Sequence, residues 1–138
     1  HEYENIIAAC DFSPAAKKAA EMAHKIAPTA TVTPLHALHV PFSGVLGQGD
    51  DVERSFRAEA EVSGNNWITS LDVPAELIGP LAISVGGPLT TLTAMAREAH
   101  IDLICVGAHG RIGARPAFLG SLASDIIRQP PCDVLIAR

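Results

Sequence analysis

Aromatic residues are scarce, with Phe, Trp and Tyr together making up 4% of the 138 residues. A core must then be built from small and aliphatic side chains packed closely, and the chain is long enough to bury about two-thirds of its unfolded surface without a staple. Positive charge is also short: 10 Lys and Arg stand against 15 Asp and Glu, a net charge of −5. That balance excludes a nucleic-acid partner held mainly through its phosphate backbone, which requires a basic face. It leaves room for a small anion held locally by backbone dipoles. Cysteine is limited to Cys10, Cys105 and Cys132, an odd number, widely spaced and in apolar contexts. No disulfide framework is expected, and a reducing, cytoplasmic compartment is the expectation. No apolar run reaches the ~18 residues of a membrane span. His1 to Glu4 is polar and acidic, unlike a secretory leader.

What remains is an alternation of apolar runs and helical spacings. Asn5 to Cys10 is a short, nearly continuous apolar run, the pattern of a strand covered on both faces. Asp11-Phe12-Ser13-Pro14 stops it and starts a helix, with Ser13 as N-cap and Pro14 as first helical residue. Ala16, Ala19, Ala20, Ala23 and Ile26 follow at helical spacing, and Pro28 ends the element. Thr31 to Val40 reads as a second strand and Asp50 to Leu71 as a second helix, weakened in its back half by Gly64-Asn65-Asn66. Ala75 to Val85 reads as a third strand interrupted by Gly79-Pro80. A proline there cannot donate to the ladder, which assigns this strand to a sheet edge. Gly86-Gly87-Pro88 opens a third helix, Asp102 to Val106 is an apolar strand, Gly120-Ser121 starts a last helix, and Asp133 to Ala137 is the closing strand. Strands alternating with helices imply right-handed crossovers and a parallel sheet with helices on both faces. One domain over residues 1–138 is expected.

In such sheets ligands bind beyond the carboxyl ends of the strands, where strand order reverses. The residues after the first and fourth strands are therefore the candidates. After the fourth strand the chain places Gly107 and Gly110, then nine residues, then Gly120-Ser121. Glycines permit close backbone approach, and a helix start offers free N–H groups to an anion. The same residues serve equally as turn and cap residues, so spacing alone leaves both readings open.

Gly107-x-x-Gly110 followed by Gly120-Ser121 resembles, without a gap, the nucleotide-binding pattern of the universal stress protein family. The segments Asn5 to Ser13, His36 to Val40, Gly86-Gly87-Pro88 and Pro131 to Ile136 are similar to other parts of that family in the same order. The resemblance implies a Rossmann-like α/β fold, of the adenine nucleotide alpha hydrolase type, with a five-stranded parallel sheet in the order 3-2-1-4-5. It implies ATP, or AMP or ADP, bound across the ends of strands one and four, with Mg2+ carried on the phosphates. The implied contacts begin with Ala9, Cys10 and Asp11, with Asp11 and Val40 flanking the adenine. Gly107 and Gly110 approach the ribose and phosphates, His109 and Arg111 add polar contacts, and Gly120, Ser121 and Leu122 hold the phosphate chain. Capping is an alternative for Asp11, and strand packing for Val40. Ala9-Cys10 and the Gly113 and Arg115-Pro116 positions depart from the commoner family residues. The resemblance further implies a two-fold dimer through the last strand, Val134, Leu135 and Ile136, an apolar edge that needs a partner.

Other chemistries lack their residues. His36 and His39 are three apart on a strand and point to opposite faces, so they do not converge on one metal ion. No Cys-x-x-Cys, His-Glu-x-x-His or Gly-x-x-x-x-Gly-Lys-Ser/Thr pattern occurs, and the first turn lacks Gly-x-Gly-x-x-Gly. Ser121 has no identifiable base with an orienting partner, so no catalytic residue is assigned. A nucleotide-binding module is the leading expectation. A slow ATPase or nucleotidyl-transferring enzyme, and a protein-interaction domain without nucleotide, are the rivals.

Overall fold

The computed structural model describes residues 2–40, 49–108 and 120–138. In chain order the elements are β1 (Asn5–Ala9), α1 (Pro14–Ile26), β2 (Thr31–Leu38), α2 (Gly49–Thr69), a short 3₁₀ turn (Ala75–Leu77), β3 (Ala82–Val85), α3 (Pro88–Glu98), β4 (Leu103–Gly107), α4 (Ser121–Arg128) and β5 (Asp133–Ala137). The strands form one five-stranded sheet in the order β3-β2-β1-β4-β5. Every pairing is parallel: Ile7 lies opposite Thr33 on one side and Ile104 on the other, Leu35 opposite Ala82, and Cys105 opposite Leu135. The α/β architecture and strand order are those expected from the sequence.

The two faces of the sheet carry separate cores because side chains alternate along each strand. Ile6, Ala8, Val32 and Cys105 pack on one face with Ala16, Ala19, Ala20 and Ala23 of α1 and with Trp67 of α2. Ile7, Leu35, Ile104 and Val106 pack on the other with Leu92 and Ala96 of α3 and Ala123 and Ile126 of α4. The alanine stripe of α1 lets that helix lie close on β4. A Cβ built on Gly107 falls 2.8 Å from the Ala15 carbonyl carbon, the Ala15 Cβ and the Ala16 nitrogen. Only glycine fits there without moving backbone.

The two prolines near the sheet edge shorten β3. Thr31 and Leu35 of β2 bond toward β1, through Glu4 O at 3.0 Å and the Cys10 N–H at 2.9 Å, whereas Val32 and Leu38 accept from Gly79 and Gly86 on the β3 side. Pro34 belongs to this second set, so its missing donor faces β3. The ladder opens between an isolated bridge of Val32 with Ile78 and its resumption at Leu35 with Ala82, and Pro34 on one strand and Gly79 and Pro80 on the other lie in that interval. The expected strand over 75–85 is thus corrected to residues 82–85, preceded by the 3₁₀ turn; β3 is nevertheless the edge strand that Pro80 required. The second helix, by contrast, runs unbroken through Gly64-Asn65-Asn66. Gly64 sits against Leu81, and Trp67 is buried with its Nε1–H donating to Ser13 O at 3.3 Å. Burial of that face overrides the weak local propensity.

Candidate functional site

At the carboxyl end of β1 the chain turns into α1 through a tight set of hydrogen bonds. Asp11 Oδ1 accepts from the Ser13 N–H at 3.0 Å, and Ser13 Oγ accepts from the Ala16 N–H at 3.1 Å. Ser13 is 1% exposed, so its hydroxyl satisfies a buried first-turn donor. Between them Phe12 sits in the left-handed region with φ +66°. That conformation is unfavourable for a bulky residue and is held by its surroundings: Phe12 stacks on His36, ring centroids 4.4 Å apart and planes 28° apart. His36 is anchored in turn by Nδ1, 2.7 Å from Cys10 O. Cys10 itself is buried, and burial pushes its thiol up to about 12, with the Asp11 charge adding to the rise. A thiol in that state is a small apolar wall, inert as a nucleophile.

Across the cleft, Gly120 is the N-cap of α4, with φ −67° and ψ 167° and no side-chain cap. Its own N–H donates to Ala108 O. Helix geometry therefore leaves the next groups, the N–H of Ser121, Leu122 and Ala123, as the first-turn donors that lack an intrahelical acceptor. The start of α3 is similar: Gly87 is an N-cap without a side-chain bond, and Pro88 is the first helical residue. Thr91 turns its hydroxyl back to Gly87 O at 3.2 Å and Pro88 O at 3.1 Å. Two uncapped helix starts thus bring positive dipole ends to one rim.

These elements enclose a cleft of about 240 Å³ at the carboxyl ends of β1, β2 and β4. It brings together seven of the residues expected from the sequence: Ala9, Cys10, Asp11, Gly107, Gly120, Ser121 and Leu122. Val40 is not in its lining; it is buried beside Leu38, Ala60 and Phe12. His109, Gly110 and Arg111 lie outside the described residues. Gly107 does not take a positive φ; among the described glycines only Gly86 does, at +139°. Close contact with α1 is what its missing side chain provides. Sequence reasoning missed His36, Ala37, Pro88 and Thr91, which also line the cleft. Their signals were present, in a histidine two residues before a strand end and in the Gly-Gly-Pro helix start, yet each needed the sheet to bring it to the rim.

The electrostatics divide the cleft. Asp11 is the one carboxylate among the described lining residues, which disfavours an anion at the β1 end. The starts of α3 and α4 favour one at the other end. Among the described residues no group of three or more His, Cys, Asp or Glu is placed to hold a metal ion, and no helix is long and apolar enough to cross a membrane.

The model of the Universal stress protein family matches residues 2–138. Universal stress protein A homolog 2 of Coxiella burnetii is 30% identical over 93 residues, covering 67% of this chain and 61% of that protein. Putative universal stress protein SERP1273 of Staphylococcus epidermidis is 30% identical over 86 residues, 62% of this chain and 48% of that protein. The match therefore spans between about half and three-fifths of these curated relatives. Among solved structures, universal stress protein UspA from Lactobacillus plantarum superposes with a TM-score of 0.79 at 26% identity, covering 100% of this chain and 99% of that one. The crystal structure of a universal stress protein in complex with cAMP superposes with a TM-score of 0.61 at 23% identity, covering 100% and 98%; at that identity the likeness is one of fold.

Proposed function

The chain belongs to the universal stress protein family, and from that premise we propose that it binds an adenine nucleotide, ATP, AMP or ADP, in the cleft at the carboxyl ends of β1 and β4. The observation that carries the reading is the uncapped start of α4 facing that cleft, with the first-turn N–H groups of Ser121, Leu122 and Ala123 lacking intrahelical acceptors. Such donors suit a phosphate chain, and neutral backbone dipoles let a protein of net charge −5 hold a polyanion. A structural relative crystallised with cAMP supports the choice of an adenine nucleotide. Asp11 and the neighbouring Ala9 and Cys10 flank the base, while Gly107, Gly110, Gly120, Ser121 and Leu122 lie along the ribose and phosphates with His109 and Arg111. Val40 acts behind Phe12, through packing. A Mg2+ ion bound with ATP rides on the phosphates, since the described lining offers one carboxylate and no ligand cluster.

The protein acts by binding, as a cytoplasmic nucleotide-sensing module of the stress response, with occupancy biasing the chain between Ala108 and Gly120. Its functional unit is a homodimer. β5 is an edge of the sheet, and Val134, Leu135 and Ile136 on it are only half-buried, a surface suited to pairing with the same strand of a second copy. Equilibrium titration with ATP, AMP and GTP tests the ligand, and absence of binding by all three at millimolar concentration would overturn it. Light scattering tests the assembly; a monomer at micromolar concentration refutes the dimer.

A further inference from the structure

The two edges of the sheet are finished differently. At the β3 edge the Ile83 carbonyl accepts from Arg57 Nη1 at 3.2 Å, and Pro80 stands just ahead of the strand. At the β5 edge the alternation of the backbone decides which groups are free. Ala137 O accepts from the Ala108 N–H at 2.6 Å, so Asp133, Leu135 and Ala137 turn their main-chain groups toward β4. Val134 and Ile136 turn theirs outward. No described side chain bonds those outward groups, and the strand carries neither Lys nor Pro to blunt its edge.

Exposed apolar side chains gather along this same edge. On one face of the sheet α1 packs over β4 and β5 while α2 packs over β2. Toward α2, the Glu21 carboxylate of α1 accepts from the Asp72 N–H at 2.7 Å. On the other side of α1, Ala15 meets Gly107 of β4. Ala19, Met22 and Ile26 continue that second side at helical spacing, which sets Met22 and Ile26, 38% and 56% exposed, beside β5. On the opposite face α4 packs over β4 and β5 and turns Leu122 into the cleft beside α3. Ile127 lies about 140° further round that helix, away from α3, and is 47% exposed. Three of the five large apolar side chains exposed among the described residues therefore flank β5, on both faces.

We propose that a second copy of this chain pairs antiparallel on β5 with Leu135 at the two-fold axis, and that Met22 and Ile26 on one face and Ile127 on the other belong to the interface. The inference rests on the β5 dimer reading above and deepens it from a strand edge to a three-layer interface in one register. With Leu135 at the axis, Val134 of each copy lies opposite Ile136 of the other, and the outward groups of both residues are used. Centring on Val134 or on Ile136 instead pairs the other of the two with Cys132 or Arg138, outside the strand. A pair of strands this short is marginal by itself. The helix side chains on either face supply the remaining apolar contact, and a two-fold axis sets each flank against its own image.

The experiment has two arms. Under mild oxidation Leu135→Cys is expected to form a disulfide-linked dimer, because residues opposed at a non-hydrogen-bonded position have Cα atoms about 4.5 Å apart, inside the disulfide range. Val134→Cys, about 7–8 Å from its own image in this register, is expected to cross-link little, and the wild type, with Cys10, Cys105 and Cys132, not at all. In the second arm, sedimentation velocity compares wild type with Ile26→Glu and Ile127→Glu. Both positions are exposed, so far-UV circular dichroism should stay unchanged while each variant weakens the dimer at least about tenfold. Cross-linking at Val134 in preference to Leu135 overturns the register, and undiminished association of both glutamate variants overturns the helix contribution; either result leaves the β5 dimer standing. A monomeric wild type overturns both the dimer and this inference.

Discussion

Gly107 belongs to the glycine spacing that suggested a phosphate site, yet its surroundings assign its missing side chain to helix docking, and Gly107→Ala separates the two roles. The new methyl would lie 2.8 Å from three atoms of α1, two of them backbone. No side-chain rotation relieves that clash; either the first turn of α1 or the end of β4 must shift. Overpacking of this kind costs about 1–3 kcal/mol. With an unfolding entropy of about 2.1 cal/mol/K per residue, a chain of this length loses roughly 3–10 °C in Tm. Gly64→Ala is the matched control. Its methyl would fall on Leu81 Cδ2, the end of a flexible side chain, and alanine gains about 0.8–1 kcal/mol of helix propensity, so its Tm should stay within about 3 °C of wild type. Thermal unfolding followed by far-UV circular dichroism reads both variants. A Gly107→Ala protein as stable as wild type would refute the docking argument, and lost ATP binding in that same protein would show that the missing side chain serves the nucleotide and not the helix.

Three further outcomes are expected. Ser13→Ala removes the hydroxyl that satisfies the Ala16 N–H and should cost about 1–2 kcal/mol in urea unfolding; an unchanged midpoint would show that water replaces the cap. Burial raises Cys10 and Cys105 from 9.0 to about 12. The folded state therefore keeps protons that the unfolded state releases above pH 9, so their stabilisation is complete below that pH and falls by about 1.4 kcal/mol per unit per thiol toward pH 12. Tyr3, whose hydroxyl donates to Asp133, and Cys132 are also raised and act in the same direction. Urea midpoints should decline steeply between pH 9 and 11, and Cys10→Ala with Cys105→Ala should flatten the decline; a flat wild-type profile would contradict it. Gly120→Val puts a branched side chain at the α4 N-cap, where φ −67° and ψ 167° suit any residue. It should melt near the wild type yet bind ATP at least about tenfold more weakly, and unchanged affinity would remove Gly120 from the phosphate path.

Particular residues show how far local chemistry reached. Ser13-Pro14 marked the start of α1 because a hydroxyl cap and a fixed φ act over one turn, and the structure begins the helix there. Pro80 marked an edge strand for an equally local reason, the absence of a donor. It did not reveal that Pro34, on the neighbouring strand, faces the same gap, and the two together cut β3 to four residues. The helix expected over 50–71 is found over Gly49–Thr69, and Gly64-Asn65-Asn66 does not interrupt it because propensity is weak beside the burial of Trp67, whose contact with Ser13 is remote in sequence. Val40 was placed beside the base only by the family resemblance, with strand packing as its alternative, and its contacts with Leu38, Ala60 and Phe12 are ones no local pattern shows.

By itself the sequence determined the alternation of strands and helices, the parallel sheet, the edge position of β3 and the segments that meet at the cleft. Periodicity, caps and prolines act over a few residues and need no knowledge of what lies opposite. Only the tertiary structure decided which role each residue takes at that cleft. Gly107 yields to Ala15 and Ala16, the Gly120 N–H is spent on Ala108, and His36 has its tautomer set by Cys10 O and its ring seated on Phe12. Each of those facts is a contact between segments distant in the chain, formed when parallel pairing brings the ends of β1, β2 and β4 side by side. The scarcity of aromatics acquires a use in the same way: one of the few, Phe12, is held in a costly conformation against the histidine that binds Cys10 O at the end of β1.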